Sequence, residues 1–283
     1  MNTNSEGAFA TTDSEPGWPT RMDTDEKRLT AEFGSSPDLR MEPCWLMMPY
    51  PPPNALAAAV QTSEQGNEIR IMRKYITEFI GTFFLVLTVG CSVVVGGAGV
   101  IAPLAIGSAL MIMIFAGGHI SGGHYNPAVT LGVWLRRGCP ASDVAPYCVA
   151  QLLGAVAAAL VVNYLKGDAA AVPMKLNVGR ALLSEFLFTF ALVYVVLNVA
   201  TAKANMGNSF YGLAIGFTVL TGAFAVGGIS GAAFNPAVAV GISVMGLSVW
   251  SNIWIYLLAT LSAAAAAAGV FNFLNPEAKP GPK

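Results

Sequence analysis

The chain has 283 residues, 54% of them hydrophobic and 11% charged, with a mean hydropathy of +0.59. A soluble domain carries charge on about a quarter of its residues, so these numbers argue against a soluble enzyme, a nucleic-acid binder and a disordered hub. The charge is also unevenly placed: residues 1–74 hold 11 acids and 7 bases, whereas residues 75–274 hold only ten charges in all.

In chain order, the first 67 or so residues mix acids with Ser, Thr, Gly and Pro and close on Pro51-Pro52-Pro53. Such a stretch buries too little apolar area to offset its ordering entropy, so residues 1–70 are expected to be a disordered N-terminal extension. Its one apolar island, Trp45-Leu46-Met47-Met48, is a contact point for membrane or partner at most. The N-terminus opens polar and acidic, so no cleavable signal peptide is read, and the first apolar span serves as its own insertion signal.

About 20 apolar residues carry a helix across a hydrocarbon core roughly 30 Å thick. Six stretches reach that length, at about 75–97, 100–118, 143–164, 180–201, 210–229 and 250–273. None alternates apolar and polar residues as a membrane barrel strand does, so the fold class is an all-α membrane protein. Arg70, Arg73 and Lys74 precede the first span, Arg136 and Arg137 follow the second, Lys203 the fourth, and Lys279 and Lys283 the sixth. All these bases then share one face, which the positive-inside rule makes cytoplasmic, together with both termini. Lys166, Lys175 and Arg180 on the other face weaken that asymmetry without reversing it. Cys44, Cys91, Cys139 and Cys148 form no CxxC pair and read as small hydrophobes, not as a disulfide or metal set. The Ala263–Ala268 run of the last span suits close helix packing in lipid.

The second half repeats the first. Leu104–Gly107 returns as Leu213–Gly216, and FAGGHISGGHYNPAV (Phe115–Val129) returns as FAVGGISGAAFNPAV (Phe224–Val238), both at an offset of 109. EFIGTFFLV from Glu78 is echoed by EFLFTFALV from Glu185 at an offset of 107. Three spans per copy is an odd number, so the second copy enters the membrane from the opposite side. The result is an inverted repeat with its functional centre near the midplane. The expected domain is 71–275, with repeats at about 75–165 and 180–274 and a short tail at 276–283.

After the second and fifth spans, a Gly- and Ser-rich stretch leads into Asn-Pro-Ala and then about ten apolar residues, too few to cross a bilayer. Asn is a favoured N-cap and Pro a favoured first helical residue. Asn126-Pro127-Ala128 and Asn235-Pro236-Ala237 therefore read as the starts of two re-entrant half-helices. Inversion brings these starts face to face, each carrying roughly half a positive charge. Each Asn can spend its oxygen on its own helix and turn its amide toward a lumen. The unwound backbone upstream is Gly122, Gly123, His124 and Tyr125 in one copy and Gly231, Ala232, Ala233 and Phe234 in the other. It is expected to line a pore with carbonyls, because irregular backbone at this depth is tolerated only beside a wet cavity or inside protein.

Glu78 and Glu185, which are repeat mates, are the only acids well inside the spans, where a carboxylate is expensive and usually functional. Two readings apply: a proton or ion relay, or an acceptor for backbone N–H groups of the re-entrant loops. The second is preferred because no titratable partner lies in the matching spans. The 2 histidines, His119 and His124, have Gly228 and Ala233 as repeat mates and form no symmetric metal site. No Ser-His-Asp set, phosphate loop or Cys/His spacing is present, so no catalysis, cofactor or metal is expected.

The double Asn-Pro-Ala motif, GHISGGHYNPAVT at 118–130, the EFIGTFFLV opening and Gln151 in the third span resemble the aquaporin (major intrinsic protein) family over roughly residues 72–274. The resemblance implies six tilted helices, two half-helices and an hourglass pore in each subunit of a homotetramer in the cell membrane. It implies passive flow of water or small neutral solutes such as glycerol, urea or ammonia. The partners it implies are membrane lipid, permeant and other copies of the chain, not nucleic acid. Family members often begin a few residues before the first-span glutamate, so Met72 is a second candidate start.

That family has an outer constriction with four contributors, and its spacing from the motifs places Ile106, Ala223, Ala232 and Val238 there. Water-selective members carry an aromatic ring, a histidine and an arginine in that ring. Here Val238 stands for the arginine, and no aromatic or histidine side chain appears. The expected constriction is wider, apolar and free of fixed charge, which admits larger neutral solutes and also favours dewetting. Two other classes stay open on the sequence. A coupled secondary transporter would need ion-binding acids at the broken helices; a structural membrane protein would have an occluded pore.

Overall fold

A computed structural model of the chain describes residues 53–94, 97–167 and 171–276, with side-chain surroundings from Glu68 onward. The chain separates into two units, Met1–Ala57 and Ala58–Lys283, and the membrane spans belong to the second. In order, the helices are α1 (Pro53–Val93), α2 (Ala102–Ser121), α3 (Pro127–Leu135), α4 (Ala141–Lys166), α5 (Val178–Thr201), α6 (Tyr211–Ser230), α7 (Pro236–Val244) and α8 (Ile253–Leu274). Single 3₁₀ turns occupy Gly99–Ile101, Lys203–Asn205 and Trp250–Asn252, and no strand occurs among the described residues. Six helical stretches are long and apolar enough to cross a membrane, all but α3 and α7.

One boundary departs from expectation. Residues 53–70, read from composition as part of a disordered extension, continue the first span as helix. Pro53 occupies the first helical position, and Ala55-Leu56-Ala57-Ala58-Ala59 is a strong helix-forming run, so local propensity favours helix here. Residues 1–52, with Cys44 and the Trp45–Met48 island, and the tail residues 277–283 lie outside the described residues.

Packing repeats itself as the sequence does. The mates Gly107 on α2 and Gly216 on α6 bring two backbones together. A Cβ on Gly107 would lie 2.7 Å from the Gly216 carbonyl oxygen, and one on Gly216 would lie 2.5 Å from that of Gly107. The half-helices dock in the same way: Gly132 of α3 meets the Val193 side chain of α5, and its mate Gly241 of α7 meets Val86 of α1, mate of Val193. Ala263, Ala264, Ala267 and Ala268 are buried as α8 packs on α5 and α3. Small residues serve this role in lipid, where association depends on close van der Waals contact.

Candidate functional site

Both re-entrant loops begin at a helix end that only glycine ends easily. Gly122 (φ 92°) and Gly231 (φ 89°) cap α2 and α6 in the left-handed region, their N–H groups donating to the Gly118 and Gly227 carbonyls. Three residues later, Tyr125 (φ 49°) and Phe234 (φ 48°) adopt the same left-handed conformation, which costs an L-residue about 1–2 kcal/mol. The backbone then extends through Asn126 (φ −159°) and Asn235 (φ −158°), whose side chains cap the next helices. Ala128 N donates to Asn126 Oδ1 at 2.8 Å, and Ala237 N donates to Asn235 Oδ1 at 2.9 Å.

The strained loops are held by the two buried acids, each 0% exposed. Glu78 Oε1 accepts from Ser121 Oγ (2.6 Å) and His124 N (3.0 Å), and its Oε2 accepts from Tyr125 N (2.6 Å) and Gln151 Nε2 (2.8 Å). Glu185 Oε1 accepts from Ser230 Oγ (2.6 Å) and Ala233 N (3.0 Å), and its Oε2 from Phe234 N (2.7 Å). Tyrosines brace the same turns, Tyr147 Oη donating to Ser121 O and Tyr256 Oη to Ser230 O, both at 2.8 Å. With two loop N–H donors on each carboxylate, the geometry is that of an anchor.

The two halves also clasp each other. Asn126 Nδ2 donates to Phe234 O and Asn235 Nδ2 donates to Tyr125 O, each at 2.9 Å. This differs from the expectation of asparagine amides turned wholly to the lumen. One hydrogen of each amide is spent across the repeat, which leaves one per Asn for a passing molecule.

A cavity of about 410 Å³ brings together Ile106, Ala223, Ala232 and Val238 with both asparagines. Gly123, His124, Gly231 and Ala233 also line it, whereas Gly122, Tyr125 and Phe234, expected as pore backbone, do not. The reason is geometric. The left-handed turn at Tyr125 and Phe234 sends each ring into the core, where both are 1% exposed; Gly122 and Gly231 cap their helices alike, yet only Gly231 reaches the cavity wall. The Tyr125 and Phe234 carbonyls are occupied by the asparagine amides. Pro127, Ala128, Pro236 and Ala237 are buried in the half-helix starts. Val129 and Val238, each following an Asn-Pro-Ala, both face the cavity, so the wall on either side of the waist is apolar.

The sequence reading gave two groups no role in the site, although Gln151 and the segment ending in Thr130 carried the family resemblance. Thr130 and Gln151 join His124 in a buried network: Gln151 Nε2 donates to Thr130 Oγ1, and Thr130 Oγ1 lies by His124 Nδ1, both at 3.1 Å. Their repeat mates are Ala239 and Thr260, and the polar-for-apolar mismatch of Thr130 with Ala239 was the available signal. Asp143, in the first turn of α4, pairs with Lys74 at 3.0 Å and ties the start of the first span to the third. Neither residue sits at a repeat-matched position, so pattern alone gave no pointer.

The family model described as Major intrinsic protein matches residues 65–271. Aquaporin NIP1-1 of Oryza sativa subsp. japonica is 36% identical over 223 residues, 75% of this chain and 78% of its own length. Nodulin-26 of Glycine max is 35% identical over 233 residues, covering 78% of this chain and 84% of its own length. Glycerol uptake facilitator protein-like 6 of Lactiplantibacillus plantarum is 37% identical over 198 residues, covering 66% of this chain and 91% of itself. Among solved structures, the aquaglyceroporin from Plasmodium falciparum matches with a TM-score of 0.61 at 23% identity. That match covers 74% of this chain and 98% of the other and extends to the fold.

Proposed function

This chain belongs to the major intrinsic protein family of passive channels for water and small solutes, and we propose that within it the chain conducts neutral solutes larger than water. The supporting observation is the wall of the outer constriction: Ile106, Ala223, Ala232 and Val238 all face one cavity, and none carries a charge or a hydrogen-bonding side chain. A ring of this kind excludes by width and by desolvation, not by a fixed positive charge. Glycerol, urea and ammonia fit that class, and a glycerol facilitator stands among the relatives.

Asn126 and Asn235 serve as the midplane donors, each with one amide hydrogen to offer. The N-termini of α3 and α7 meet there and oppose cations. Glu78 and Glu185 act as loop anchors. The channel domain occupies 71–275, the subunit assembles as a homotetramer in the plasma membrane with both termini cytoplasmic, and no step of bond chemistry is performed.

Stopped-flow light scattering on proteoliposomes tests this. Wild type is expected to pass glycerol or urea, and Val238→Arg to reduce that passage selectively while water still crosses. A wild type permeable to water alone would overturn the wide-filter reading. Saturating, gradient-driven uptake would point to a coupled transporter.

A further inference from the structure

Among the described residues that line the cavity, only His124, Asn126 and Asn235 carry a hydrogen-bonding nitrogen or oxygen on the side chain. Each asparagine oxygen is turned back to accept from its own helix start, so what the asparagines turn to the lumen is the amide hydrogen. What His124 presents depends on which ring nitrogen holds the proton.

Hydrogen counting around Thr130 decides this. Thr130 has one hydroxyl hydrogen and three neighbours at hydrogen-bond distance: Asn126 O at 3.1 Å, Gln151 Nε2 at 3.1 Å and His124 Nδ1 at 3.1 Å. Gln151 Nε2 is a donor here, because its other hydrogen goes to the Glu78 carboxylate at 2.8 Å. Asn126 O is a carbonyl and can only accept. If Thr130 donated to the imidazole, its contact with Asn126 O would be lost. If it donates to Asn126 O, its two lone pairs accept from Gln151 and from His124 Nδ1–H, and all three contacts survive. The proton therefore resides on Nδ1, and Nε2 is bare. Tyr147 rests against the same ring, with centroids 5.2 Å apart.

We propose that His124 Nε2 is a side-chain acceptor of the pore wall, the one among the described lining residues, and selects permeants that carry an O–H or N–H donor, with Thr130 and Gln151 acting as positioning residues that hold this tautomer. The proposal rests on reading the cavity as the permeation path. A hydroxyl solute can then accept from an asparagine amide and donate to Nε2 a short distance along the path. The second repeat offers no such partner, since Ala233 stands where His124 does and Ala239 where Thr130 does.

Two measurements test it. The exposed His119→Gln variant leaves His124 as the only histidine. Nitrogen NMR of labelled histidine in proteoliposomes at neutral pH should then report a protonated Nδ1 and a bare Nε2. Proton on Nε2 would overturn the inference whatever the flux. In stopped-flow assays, Thr130→Val removes the acceptor that holds the tautomer, and the glycerol-to-water permeability ratio should drop about fivefold, the worth of one neutral hydrogen bond. Thr130→Ser should restore both the ratio and the nitrogen signature, which a purely structural role for the methyl group would not do. Val238→Arg serves as the separate arm. If it leaves glycerol flux unchanged, the pore reading fails and takes this inference with it. If it blocks glycerol while Thr130→Val leaves the ratio unchanged, only this inference fails.

Discussion

The two halves of the molecule share a backbone and differ in what they hang on it. In the first, the ring of Tyr125 fills a slot at Gly81, where a Cβ would sit 2.1 Å from it. In the second, the mate of Gly81 is Phe188, and Phe234 packs on that ring at 5.5 Å, the space supplied instead by Gly222. Glu78 collects four donors and Glu185 three, because Thr260 stands in Gln151's place and turns its hydroxyl back to Tyr256 O. Gly123 takes a left-handed turn (φ 63°) without strain, whereas its mate Ala232 takes the same turn (φ 50°) with a Cβ. Scaffold contacts are thus duplicated faithfully, and the surfaces around them have been free to diverge.

Three variants would break or sharpen that contrast, beginning with the largest effect. Glu78→Gln removes one oxygen that takes two donors, whichever oxygen the amide replaces, whereas Glu185→Gln can place its amide at Oε2 and disappoint only one. Glu78→Gln should therefore lower stability by about 1–3 kcal/mol more than Glu185→Gln, read from unfolding midpoints in detergent. In both variants folded yield should fall further than flux per folded molecule; normal yield with abolished flux would instead restore the relay reading. Next, Gly81→Ala should destabilise by about 1–3 kcal/mol through overpacking against Tyr125. A neutral result would mean that the aromatic slot is looser than its geometry. Smallest, Ala232→Gly should stabilise the fold by up to about 1 kcal/mol as the left-handed strain disappears, although the glycine's greater unfolded-state freedom works against it.

Most of the architecture was legible in the sequence because it depends on local physics. Span length follows from hydrocarbon thickness, and Asn-Pro with an upstream glycine writes out a helix start. Two copies at nearly one offset, each with an odd number of spans, dictate inversion. What was not legible depends on pairs far apart in the chain. The exchange of Asn126 with Phe234 and of Asn235 with Tyr125 links residues 108 and 110 apart, and no periodicity announces it. The same holds for the loop residues: irregular backbone at membrane depth suggested that the whole unwound stretch faces a lumen, but a left-handed turn at its end rotates Tyr125 and Phe234 into the core. The helical start at Pro53 was missed for another reason. Composition was averaged over an extension in which one short Ala-rich segment behaves unlike its surroundings.

The exchanged asparagine contacts also bear on how the chain is made. Until the ribosome has delivered Phe234, Asn126 has no acceptor for its cross-repeat hydrogen, and until Asn235 arrives the Tyr125 carbonyl has no donor. A half-synthesised channel therefore holds unpaired polar groups at membrane depth, where each is costly. The first loop can settle only when the second reaches it from the opposite leaflet. The clasp at the waist therefore cannot form before the second loop is in place, and a chain truncated before Phe234 lacks both of its hydrogen bonds.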